Sequence, residues 1–132
     1  NVMRFCTDSW ASFVKSDVEA TPTEFRFNLL NSRFCICVHG GGVDPSPRAW
    51  EALLCGTIPI LEHSPVDEAY SRFPVAYVDA WTPDAITPEK LARWLEELRP
   101  FYEDPVKRAE VLKMLTLDYW WEIITAPLKS AA

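Results

Sequence analysis

The sequence predicts an α/β domain built on a parallel sheet with helices on both faces. Three observations carry this. From residue 24 onward the chain reads helix, strand, helix, strand, helix, strand, helix, helix, an alternation that implies right-handed βαβ units. The run "RFCICVH" (Arg33 to His39) is nearly all apolar, as suits a strand covered on both faces. Helices open on Ser-Pro and Thr-Pro pairs, in which the hydroxyl residue caps and the proline takes the first helical position. No repeat, linker or low-complexity segment divides the 132 residues, so residues 1–132 are read as one domain. A hydrophobic content of 48% is enough to build its core.

The first 23 residues are the least defined. "VMRFC" suits a strand and "DSWASFVKSD" a short helix capped by Asp8 or Ser9, while "EATPTE" suits a loop and helix entry. In "EFRFNLLNSRF", Phe25, Leu29 and Leu30 share one helical face, which predicts a short helix ending near Asn31. The strand at Arg33–His39 leads into Gly40, Gly41 and Gly42. Ser46 and Pro47 then start a helix that runs to Cys55 and stops at Gly56. "TIPILE" is the next strand, and Pro59 inside it calls for a bulge or a short pairing.

Ser64 and Pro65 repeat the Ser-Pro start, and "PVAYVDAW" is a third strand. The clearest helix follows, with Thr87 as cap, Pro88 first, and Leu91, Trp94, Leu95 and Leu98 at i, i+3, i+4, i+7. Pro105 opens a last helix of about twenty residues that ends before Pro127. It carries Val111, Leu112, Met114, Leu115, Tyr119, Trp120, Ile123 and Ile124.

Net charge is −6, which argues against general nucleic-acid binding but leaves room for a small anion at a locally positive site. No apolar run approaches the roughly 18–20 residues of a membrane span. The four cysteines show no CxxC spacing and read as buried free thiols, with Cys35 and Cys37 on one sheet face. The chain opens at Asn1 and shows no signal peptide, so a cut or processed N-terminus is expected.

In a parallel sheet, ligands collect at the carboxyl ends of the strands. The loop from His39 to Ser46 leaves such an end and feeds a helix N-terminus. Glycines there would adopt positive φ and let the backbone approach a ligand, and the free N–H groups of the helix favour a phosphate. Arg48, in the first helical turn, has the forked donors that suit a diphosphate. Glu51 lies one turn on, on the same face, among apolar neighbours. A carboxylate there is costly without a partner, and the two adjacent hydroxyls of a ribose would supply one. The alternative is a structural Arg48–Glu51 ion pair, and for the loop a plain connection, since neither GxGxxG nor GxxxxGKS is present.

The stretch "NLLNSRFCICVHGGGVDPSPRAWEALLCGTIPIL" resembles the donor-binding segment of exostosin-type glycosyltransferases, a likeness that runs from about Phe25 to Leu98. Ser46, Pro47, Arg48, Glu51, Ala52, Leu53, Gly56 and Pro59 fall at the family's spacing. The resemblance implies the C-terminal, Rossmann-like, nucleotide-sugar-binding half of a GT-B enzyme. It implies Arg48 as the diphosphate contact, Glu51 as the ribose contact, and Ser46 as a phosphate or helix-cap contact. It further implies an inverting, metal-independent transfer to a hydroxyl of a glycan or other acceptor, with no cofactor. No DxD pair is present. The base would come from an N-terminal acceptor-binding half or another chain, because 132 residues make about half of such an enzyme. The resemblance also suggests the secretory pathway.

Two departures stand out: His39 replaces the family's proline before the first glycine, and Thr57 replaces the cysteine after Gly56. His39 could donate to a phosphate or sugar hydroxyl, or make a local strand-end bond. Glu62, at the next strand end, could reach donor-sugar hydroxyls or be a solvated charge, and Asp79 is similarly open. His63 fits a ligand contact or a turn residue. Asp67, Glu68, Glu96, Glu97 and Glu110 read as solvated helix faces. Trp94, Trp120 and Trp121 read as core, while Trp10 or Trp81, near loops, could stack on a base or sugar. The last helix could cross to another half-molecule, which would account for its apolar density. The competing reading is an interaction or scaffolding module with a degenerate nucleotide site.

Overall fold

The computed structural model describes residues 2–16, 19–42, 44 and 47–131. The described elements are α1 (Val2–Thr7), α2 (Pro22–Leu30), β1 (Phe34–Cys37), α3 (Arg48–Cys55), β2 (Ile58–Glu62), α4 (Asp67–Tyr70) and β3 (Ala76–Val78), followed by α5 (Pro88–Leu98), α6 (Pro100–Glu103), α7 (Pro105–Met114) and α8 (Leu117–Ser130). The strands form one parallel sheet in the order β1-β2-β3. The alternation in the sequence therefore does give an α/β fold with helices flanking a parallel sheet.

Side chains alternate across the sheet and divide the core in two. On one face Ile36, Ile58, Ile60, Ala76 and Val78 pack with Cys6, Trp10, Ile86 and Trp94. On the other, Cys37 and Leu61 pack with Ala49 of α3 and Tyr70 of α4. Leu53, Phe73 and Val111 close a third cluster, which docks α7 against α3. Arg108 of α7 donates to the Leu54 carbonyl at 2.9 Å, setting a cation at the C-terminus of α3, where the helix dipole favours one. Gly56 ends that helix with φ 80°, as its position predicts.

Pro59 lies within β2 without disrupting it because of register. β2 pairs with β3 only from Ile60↔Ala76 onward. By the two-residue period of a parallel ladder, counted back from the bond of His63 N–H to the Val78 carbonyl, the nitrogen of Pro59 faces the Pro74 carbonyl. That carbonyl accepts instead from the Tyr102 hydroxyl at 2.6 Å. The short pairing expected at Pro59 is what the strand adopts, and a tyrosine from α6 takes the place of the missing donor.

Several expectations need correction. "VMRFC" forms α1, not a strand: Val2, Phe5 and Cys6 recur at i, i+3, i+4 and face the core together. Residues 8–13 form turns, not a capped helix, because Trp10 drops into the core and its Nε1 donates to the Pro83 carbonyl at 2.7 Å. Trp81 packs edge-on against Trp10 at 6.4 Å, so both rings are used in packing and not offered to a base or sugar. The last helix is two helices, divided where the Thr116 hydroxyl caps α8 by accepting from Tyr119 N–H. Pro127 sits inside α8 and does not end it. Trp94 is core as expected, but Trp120 and Trp121 of α8 are exposed.

The helix entries also differ. At α2 Thr21 and Glu24 form a reciprocal capping box. At α3 the cap position is Pro47, with Arg48 as first helical residue, one later than the Ser46–Pro47 pair predicts, and Ser46 itself lies outside the described residues. Ser64–Pro65 is not the cap of α4, whose cap position is Val66.

Candidate functional site

The edge strand β1 runs along a cleft of about 1590 Å³, bounded by α1, α2, the segment before α2, and the start of α3. Arg48 and Glu51 both open onto it, with Val38, Pro47, Phe25 and Cys35 beside them. The volume exceeds the roughly 300–1,000 Å³ of a closed small-molecule site, so it is a groove with room for a ligand of nucleotide size.

The local sequence explains how the two charges arrive there. Arg48 begins α3 and Glu51 follows one turn later, while Ala49, Ala52 and Leu53 fill the buried face of the same helix. The Arg48 guanidinium lies 5.9 Å from the Phe25 ring centroid, over α2. Glu51 takes no part in the ion pairs of the described residues, Arg4–Asp8, Arg33–Glu103, His63–Asp67, His63–Asp79 and Arg99–Glu103. The structural Arg48–Glu51 pair is therefore not formed, and the carboxylate faces the groove.

Both charges are felt at the strand beneath. Cys37 offers its thiol proton to Cys35 sulfur at 3.9 Å. That bond, then burial, pushes the Cys37 thiol far up. It holds the Cys35 thiol below its ordinary value, against burial and with help from Arg48. All four cysteines are free, as expected, with Cys6 and Cys37 buried and Cys35 and Cys55 half-buried.

The glycine loop behaves differently from expectation. Among the described residues Gly56 alone has positive φ, so Gly40, Gly41 and Gly42 are not there for left-handed backbone. A Cβ at any of the three would meet nothing within 4 Å, so they line open space. The loop is anchored further on, by Asp44. The buried Tyr70 of α4 donates its hydroxyl to Asp44 Oδ1 at 2.9 Å, and its ring stacks on Trp50 of α3 at 4.5 Å. Burial, then the Asp44 carboxylate, raises the Tyr70 phenol.

The other sequence candidates stand at the strand ends. His39 follows β1 on the side of Cys35 and Cys37, and its buried Nδ1 has no partner among the described residues. Glu62 ends β2 in phase with Ile58 and Ile60, and so points to the face opposite α3. Neither lines the groove that holds Arg48 and Glu51.

One arrangement escaped sequence reasoning. Asp67 is not a solvated charge: it accepts from His63 Nδ1 at 2.6 Å and from Ser64 N–H at 2.9 Å. Burial pushes its carboxyl up, but those two bonds together with the charges of His63 and His39 outweigh it and the net shift is downward. The His63 ring stacks parallel on Tyr77 at 4.5 Å, and Nε2 points toward Asp79 at 4.0 Å. Burial, then Asp67, pushes the Tyr77 phenol up to about 12. His63 follows β2 and Asp67 opens α4, so the turn between them makes the contact and no helical spacing announces it.

Among the described residues no group of three or more His, Cys, Asp or Glu side chains is placed to hold a metal ion, and no helix is long and apolar enough to cross a membrane. Comparison with protein-family models, curated proteins and solved structures found no match for this chain.

Proposed function

We propose that this chain is the donor-binding half of a GT-B glycosyltransferase of exostosin type. The observation that carries the reading is the joint exposure of Arg48 and Glu51 to one large groove at the start of α3, with no ion pair between them. A nucleoside diphosphate sugar answers both charges: its diphosphate pairs with the guanidinium and its ribose hydroxyls donate to the carboxylate. Gly40, Gly41 and Gly42 do not line this groove, so the reading rests on Arg48 and Glu51 and not on the glycines.

In the reaction, an acceptor hydroxyl oxygen attacks the anomeric carbon of the donor. The bond from that carbon to the diphosphate oxygen breaks, and the acceptor proton passes to a base. Arg48, with the N-terminus of α3, stabilises the charge that grows on the departing diphosphate. The base is assigned to the acceptor-binding half, as the family likeness implies. No metal or cofactor enters this scheme, and nucleic acid is not a partner. The family likeness suggests the secretory pathway and does not fix the compartment.

Calorimetric titration with UDP, GDP, their 2′-deoxy forms and the parent nucleosides tests the assignment of parts. Diphosphates should bind far more tightly than nucleosides, and 2′-deoxy forms more weakly than ribose forms. Equal affinity for nucleoside and diphosphate would remove Arg48 from its role. A second reading, an interaction module with a degenerate site, draws on the exposed apolar face of α8.

A further inference from the structure

Cys35 and Cys37 sit two residues apart on β1, so the pleat sets both side chains on the face that α3 covers. Their surroundings differ. Cys37 is fully buried. Cys35 is half-buried and lines the groove onto which Arg48 and Glu51 open. The donor scheme uses neither sulfur.

Geometry makes the two thiols unequal. The Cys37 proton lies between the Cys35 carbonyl at 3.5 Å and the Cys35 sulfur at 3.9 Å. A protonated Cys35 donates, among the described residues, only to the Ile36 carbonyl at 3.9 Å. The charged form of Cys35 is therefore the better bonded one, while a charge on the enclosed Cys37 would be costly. The Cys37 bond holds the Cys35 thiol down and burial opposes it. Arg48 adds to the lowering and Glu51 subtracts from it.

We propose that Cys35 is a modification site, a nucleophilic thiolate in the wall of this groove that peroxides oxidise to a sulfenic acid. Its sulfur attacks one oxygen of hydrogen peroxide. The S–O bond forms, the O–O bond breaks, and hydroxide leaves, taking a proton from solvent to become water. The sulfur is oxidised and the peroxide reduced. The product sets a neutral S–O–H group in the wall that Arg48 and Glu51 share, where a charged sulfur stood. The proposal does not rest on what the groove binds.

The test treats the reduced full chain with hydrogen peroxide. The thiols left at each time are alkylated in denaturant and mapped by mass spectrometry. Cys35 should be lost about fivefold faster than Cys55, the other half-buried cysteine. Its rate should level off at lower pH than that of N-acetylcysteine amide, an ordinary thiol. Cys37→Ala should slow the loss of Cys35 about threefold. Cys37 belongs to the core, so the groove charges give a second test that leaves the core intact. Arg48 is exposed, and Arg48→Ala should slow the reaction about twofold, while Glu51→Gln should speed it by a similar factor. Both effects should shrink with added salt. Equal loss of Cys35 and Cys55 would overturn the proposal, as would a Cys35 pH profile that matches the ordinary thiol. Charge variants that shift the rate in the same direction would also overturn it.

Discussion

Tyr70→Phe links the fold to the site through one hydroxyl. The ring is buried, stacks on Trp50 at 4.5 Å, and sends its hydroxyl to Asp44 Oδ1 at 2.9 Å. Phenylalanine keeps the ring and its packing and removes the donor alone. A hydrogen bond to a charged acceptor contributes about 1.5–3 kcal/mol. Asp44 is exposed, so water partly replaces the lost donor and the expected cost is lower, about 1–2 kcal/mol. For a domain of this size that lowers Tm by about 3–8 °C. Asp44 follows the glycines, so releasing it also loosens the loop between Val38 and Pro47, the two residues by which its ends meet the groove. Ordering that loop on binding should then cost about three- to tenfold in nucleotide affinity. Differential scanning calorimetry and titration calorimetry on one preparation read both effects. A normal Tm would refute the anchoring bond, and a lowered Tm with unchanged affinity would refute its link to the ligand.

Two further outcomes follow from the packing and from one carboxylate. Thr57 is fully buried and donates to the Leu29 carbonyl at 2.5 Å, so Thr57→Val, which leaves that carbonyl only its bond from Ser32 N–H, should cost about 0.5–1.5 kcal/mol by chemical denaturation, while Thr57→Ser should recover most of it. Asp67 has a carboxyl held below its ordinary value, so its contribution to stability is present above the unfolded-state value and lost as pH falls through the folded one. Asp67→Asn should therefore lower stability near neutral pH and flatten its loss across the acid range, and an unchanged acid limb would show that the His63 and Ser64 bonds give Asp67 no such role.

Much of the fold is legible in the sequence because its cues are local. Thr87–Pro88 and Gly56 announce helix ends by their own backbone preferences, and the apolar runs announce the strands. The misread segments lack that property. Six residues of α1 are too few to separate a helical period from a short apolar run. Thr116 caps α8 from within an apolar stretch that otherwise continues the helical pattern. Trp10 is fixed by a carbonyl 73 residues away, which no local pattern reveals. Arg48 and Glu51 share α3, so their common helix face was legible in the spacing. The Asp44–Tyr70 bond joins residues 26 apart and needed the fold. The three glycines mislead in a different way, since composition points to positive φ where the loop needs only openness.

The central claim is that Arg48 and Glu51 read the two ends of one nucleoside diphosphate. Its most direct test is calorimetric titration of UDP- and GDP-sugars into the folded chain and into Arg48→Ala and Glu51→Ala. The account predicts saturable binding of one nucleotide class, weakened about a hundredfold by Arg48→Ala and about tenfold by Glu51→Ala, with the circular dichroism of both variants unchanged. A folded wild-type chain that binds none of these donors, or variants that bind them as tightly as wild type, would contradict it.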